Sequence, residues 1–218
     1  MLLRVEPDDW EHAAAVAELA RGAASRHGLT DRLHELALVL DDLAPDERPW
    51  WRLAAPGVLE IYGHPGHFLA ERGAELAGSL PSLPWDLREP PAPADPPPFA
   101  PARGERFLHH HFLAVADVLA GRIVPSAVPA GLAEAFQEAW DVTIDGRLRR
   151  GFLPGLPVAE RRRRFARLFG AAGVLLPLHW ELFHELWDWD DPDQEGLVGR
   201  AGRLPPLDHR PPLDRRGA

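Results

Sequence analysis

Apolar positions along this chain recur at helical spacing more often than they alternate. "LLRVE", residues 2–6, alternates and predicts a short strand, and "PDDW" then places a proline and two acids where a helix begins. Trp10 to His27 is Ala-rich and helical in pattern, stopping at Gly28. Leu33, Leu36, Leu40 and Leu43 mark one face of a second helix, capped by Thr30. "GVLEIYG", Gly57 to Gly63, is the strongest strand signal and is expected to pair with the N-terminal strand. A further helix is expected over 66–79.

"REPPAPADPPPFAPARG" is too proline-dense for a helix or a central strand and reads as a linker or surface wrap of polyproline character. Three helical stretches follow, over about 105–120, 129–150 and 157–189, the last broken near "GAAGVLLP". The expected fold is mainly α with a small two-stranded β element, arranged as a single-domain helical bundle. Its segments are residues 1–80 (helices plus short strands), 81–103 (the Pro-rich linker or wrap), 104–190 (the helical core) and 191–218 (a disordered tail).

Composition narrows the chemistry. The 218 residues include no cysteine, so disulfides, thiolate zinc sites and cysteine nucleophiles are excluded, and any metal must be held by His and carboxylates. A net charge of −9 opposes general nucleic-acid binding, which needs clustered cations facing phosphate. All basic residues are Arg, and the abundance of Ala, Gly, Pro, Arg and Leu points to a GC-rich bacterial genome. No apolar run reaches the roughly 20 residues of a membrane span, and the expected setting is cytoplasmic, without a membrane partner. No G-x-S-x-G elbow, P-loop or G-x-G-x-x-G is found.

"FLHHHFLAVAD", Phe107 to Asp117, sets three histidines into an apolar helix. At about 100° per residue they point in three directions: His111 falls in the apolar arc and is expected to be buried, His110 shares a different face with Asp117, and His109 is expected to be exposed. His179 lies within the apolar arc of "LLPLHWELFHELW", and burial would oblige it to find a partner.

The stretch "HHFLAVAD" resembles the zincin metallopeptidase helix His-Glu-x-x-His-x-x-Asp. His110 matches the first zinc-binding His and Asp117 the trailing Asp, while His111 replaces the general-base Glu and Ala114 the second His. The resemblance implies a zincin-like scaffold whose third ligand comes from a downstream helix, where Glu138, Asp141 and Asp145 are equally eligible. His110 and Asp117 are separated by about 10 Å of helix rise, too far to share one zinc. The implied site is therefore degenerate, and the chain is expected to lack peptidase activity and to need no cofactor. Any activity it did have would be that of a zinc- or other metal-dependent hydrolase.

The candidate pocket thus comprises His110, His111, Asp117, Glu138, Asp141, Asp145 and His179. Scattered candidates for a metal are His64 and His67 in "HPGH", His110 again, and the i,i+3 pair Glu181 and His184. Glu134, Glu138, Asp141 and Asp145 share one helix face, which by pattern is solvent-facing. Within "ERRRRF", Arg161 or Arg162 falls beside the apolar seam, and pairing with Asp141 or Asp145 is its simplest use. Gly146 inside that helix costs about 1 kcal/mol relative to Ala, so either the helix bends or another backbone comes close. Trp50, Trp51 and Trp85 are candidates for a surface that recruits an unknown protein partner. A helical protein–protein interaction module without a catalytic site is accordingly the alternative function.

Overall fold

The structure, a computed structural model, describes residues 1–40, 43–44, 47–70, 97–169 and 176–204. It is mixed α/β and divides into two compact units, Met1–Leu108 and His109–Ala218, where the sequence pattern suggests a single bundle.

In the first unit β1 (Leu2–Glu6) leads through α1 (Ala13–Arg26) to β2 (Glu35–Val39), followed by β3 (Trp50–Ala55) and β4 (Val58–Tyr62). The sheet has four strands among the described residues, in the order β1-β2-β4-β3, in place of the two expected. β1 and β4 both run parallel to β2, and β3 is antiparallel to β4, so the N-terminal strand pairs with β2 and not with "VLEIY".

Where the sequence pattern implies a helix with Leu33, Leu36, Leu40 and Leu43 on one face, Glu35–Val39 forms strand β2. Leu36 and Leu38 face one side of the sheet, Ala37 and Val39 the other, and all four are buried. A central parallel strand covered on both faces is apolar throughout, and such a run fits a helical period as well as a strand. Gly28, at φ 64, ends α1, and Gly57, at φ 74, makes the Pro56-Gly57 turn between β3 and β4. α1 packs on β1 with Val16, Ala20, Ala23 and Ala24 buried.

Trp50 and Trp51 lie on edge strand β3, and Trp50 stacks on Tyr62 with ring centroids 3.9 Å apart. Arg52 and the Tyr62 hydroxyl both donate to Glu60, at 2.6 and 2.8 Å. Where a helix was expected over 66–79, Pro65–His67 forms a single 3-10 turn, and 71–79 lie outside the described residues. So do Trp85 and 81–96 of the Pro-rich segment, while its end, from Pro101, already belongs to α2.

α2 (Pro101–Leu119) continues past the boundary between the units, which falls after Leu108. The second unit adds α3 (Ala133–Arg150), α4 (Val158–Phe169), α5 (Pro177–Trp187) and α6 (Gln194–Arg203). α6 occupies part of the segment expected to be disordered: Asp193 caps it by accepting from the Gly196 N–H at 2.7 Å, and Leu197 and Ala201 are buried. Residues 205–218 lie outside the described residues.

α3 packs against α4, α5 and α6, and Glu138, Asp141 and Asp145 of its acidic face are buried along with its apolar one, while Glu134 stays exposed as expected. Gly146 is where the Trp187 carbonyl of α5 approaches too closely for a side chain. Of the two readings of that glycine, close approach is therefore correct. Arg150 of α3 donates to the Trp187 and Trp189 carbonyls and holds Asp190 at 2.7 Å, closing the C-terminal end of α5.

Candidate functional site

His110 of α2 and the acidic face of α3 meet in the second unit. The imidazole places Nδ1 3.2 Å from Asp145 Oδ1 and Nε2 3.4 Å from Asp141 Oδ1, with 18% of its side chain exposed. Asp145 is fully buried and takes three further donors: Arg161 Nε at 2.7 Å, Arg161 Nη2 at 2.5 Å and the Leu156 N–H at 3.1 Å. Arg161 Nη1 lies 3.3 Å from Glu138 and 3.7 Å from Asp141, and Gln137 donates to Asp141 at 2.9 Å.

Helical spacing explains the convergence. Glu138, Asp141 and Asp145 sit at i, i+3 and i+7 on α3, one above another on one face, and Arg161 turns inward from the first turns of α4 to serve all three. A guanidinium with five fixed donors suits three carboxylates better than an ammonium would.

These charges set each other's protonation. Burial alone would pull His110 down, but Asp145 and Asp141 outweigh it and push it up to about 9. Burial likewise would raise the Asp145 carboxyl, yet Arg161 first and His110 second hold it below its ordinary value. His110 is consequently an imidazolium near neutral pH, with both N–H groups directed at carboxylates.

Asp117 belongs to a second, separate arrangement. Arg147 grips it with Nη1 at 2.9 Å and Nη2 at 2.6 Å, the Trp140 indole N–H donates at 3.0 Å, and Arg122 approaches at 3.4 Å. The carboxylate is fully buried, and the bidentate grip fixes α2 against α3. His110 and Asp117 therefore serve different partners, as their separation along α2 requires.

No protein-family model, curated protein or solved structure matches this chain.

The remaining candidates disperse. His179 is buried as expected, but its Nδ1 accepts from the Leu176 N–H at 2.9 Å instead of meeting a carbonyl or carboxylate, and burial lowers its pKa. It is a neutral helix-start residue and does not join the His110 cluster through any hydrogen bond described. His109 is buried where exposure was expected and His111 only half-buried where burial was expected, although Phe107, Leu108, Phe112 and Val115 of the same helix are buried as the apolar arc implies.

His64 accepts from the Gly66 N–H at 3.0 Å, and His67 stacks on Phe107 at 4.7 Å, both within the first unit. His184 is exposed and lies 3.4 Å from Arg162, and Glu181 is exposed. Among the described residues no group of three or more His, Asp or Glu is arranged to hold a metal ion.

The residues at the zincin-like positions do not fit zinc. Ala114 is buried and offers no donor, the Asp117 oxygens are taken by Arg147 and Trp140, and both His110 nitrogens are turned to Asp141 and Asp145. The sequence did not single out Arg147, Leu156 or Gln137. For Arg147 a signal existed, since "DGRLRR" puts an arginine two residues beyond Asp145 where it can turn to the other side of α3. The Leu156 amide had none.

Proposed function

We propose that this chain is a non-catalytic binding protein built on a zincin-like helix, with a charge cluster in place of a hydrolytic centre. The observation that carries this reading is the engagement of both His110 nitrogens by Asp141 and Asp145, with Arg161 filling the cationic position between the carboxylates. A general base and a zinc ligand both need a free imidazole nitrogen, and here each His110 nitrogen faces a carboxylate, which favours the protonated ring. The cluster joins three helices, and its use is to hold α2, α3 and α4 together while other surfaces bind. The chain needs no cofactor on this reading, and the partner is a protein.

The test is metal content and hydrolysis in the purified full chain. Zinc below about one-tenth of an equivalent after dialysis against micromolar zinc is expected, with no peptide cleavage that His110→Ala abolishes. Stoichiometric zinc, or cleavage sensitive both to chelator and to His110→Ala, would establish the hydrolase reading instead.

A further inference from the structure

The turn after α3 presents a bulky residue in a place suited to glycine. The Phe152 N–H donates to the Arg149 carbonyl at 3.2 Å and the Leu153 N–H to the Leu148 carbonyl at 2.8 Å, the paired bonds of a Schellman helix end. Phe152 takes the left-handed position at φ 53, while Gly151, one residue earlier, sits at φ −77 and spends no glycine freedom. The Phe152 side chain is 98% exposed. A strained backbone that displays an aromatic ring to solvent works against stability twice over, and such strain collects at functional sites.

The surroundings define what the ring meets. Residues 151–157, "GFLPGLP", contain no charged or hydrogen-bonding side chain, and two prolines stiffen the loop. From Gly146 to Arg167 the sequence has eight arginines and one carboxylate, on a chain of net charge −9. Arg147, Arg150, Arg161 and Arg164 are neutralised by Asp117, Asp190, Asp145 and Glu160. Arg149, Arg163 and Arg167 are exposed and form no ion pair among the described residues.

We infer that the Phe152 turn is a peripheral anchor for an anionic membrane surface: the ring enters the headgroup–acyl boundary, and the exposed Arg149, whose carbonyl accepts from the Phe152 N–H, meets a lipid phosphate. An apolar tip with a cationic flank matches the order of a bilayer interface. A protein pocket would have no polar side chain on the 151–157 tip with which to fix the orientation. The absence of a membrane-spanning helix among the described residues bears only on crossing, not on lying at the surface, so this inference revises the sequence expectation of no membrane contact. It is independent of the His110 cluster and stands or falls without it.

The experiment is co-sedimentation of the full chain with vesicles of phosphatidylcholine alone or with about 30% phosphatidylglycerol, at low and high salt. Partition onto the anionic vesicles is expected to be about tenfold stronger and to weaken with salt. Phe152→Gly suits the left-handed position, so it should fold with an unchanged or higher Tm while losing about fivefold in partition. Arg149→Glu should weaken binding to anionic vesicles and leave the phosphatidylcholine baseline unchanged. No partition, equal partition onto both compositions, or wild-type partition by Phe152→Gly would each overturn the assignment.

Discussion

His110 illustrates how far a residue's chemistry depends on its neighbours. Its raised pKa links protonation to folding with a definite sign: the stabilisation is complete below the unfolded value near 6.5 and is lost as pH climbs through about 9. His110→Gln keeps the size and one donor but cannot carry the charge, so it should cost about 3 kcal/mol near pH 6 and progressively less towards pH 9. Denaturant unfolding of both proteins across that range measures the difference, and a cost that grew with pH would contradict the carboxylate pairing. The sequence narrowed the buried cation to Arg161 or Arg162 and its partner to Asp141 or Asp145, since only one or two arginines of the run reach the apolar seam; the structure selects Arg161, which meets both. The zincin-like register already set His110 and Asp145 in one candidate pocket, but the ion pairing itself, across a separation of 35 residues, was left to tertiary packing.

Among the elements, α3 is the most constrained. Its apolar residues were readable from spacing, but the burial of its acidic face was not: helical periodicity separates two faces without saying whether the polar one meets water or another helix. Gly146 marks the contact with α5, and a methyl group there would strike the Trp187 carbonyl, which is backbone and cannot swing away. Gly146→Ala should therefore destabilise by about 2 kcal/mol or more despite its better helix propensity, whereas Gly22→Ala in α1, with nothing near the added carbon, should stabilise by about 0.5 to 1 kcal/mol. Thermal melts of the pair decide this, and equal signs would remove close approach as the reason for Gly146. β2 shows the opposite limit of legibility. "ELALV" satisfies both periods, and only the presence of strands on either side makes it extended.

At the scale of the whole molecule, charge is placed inside as well as outside. Asp145, held below its ordinary 3.8, contributes stability that is complete above that value and lost as pH falls through its folded value. Together with His110 this sets a window from about pH 4 to 6.5 in which both contributions are intact, and stability of the full chain is expected to be greatest there. A maximum above pH 8 in chemical denaturation would show that other groups dominate. Helix-rich character was legible in the sequence; the four-stranded sheet and the division into two units were not, since a parallel sheet depends on pairings that local periodicity does not encode. The Leu156 amide carries a further consequence. Although it belongs to the loop between α3 and α4, its proton is given to the buried Asp145 carboxylate. In deuterated solvent it should exchange about as slowly as the amides at the centre of α3, waiting for unfolding of the unit rather than for motion of the loop. A loop by shape would then be core by timescale.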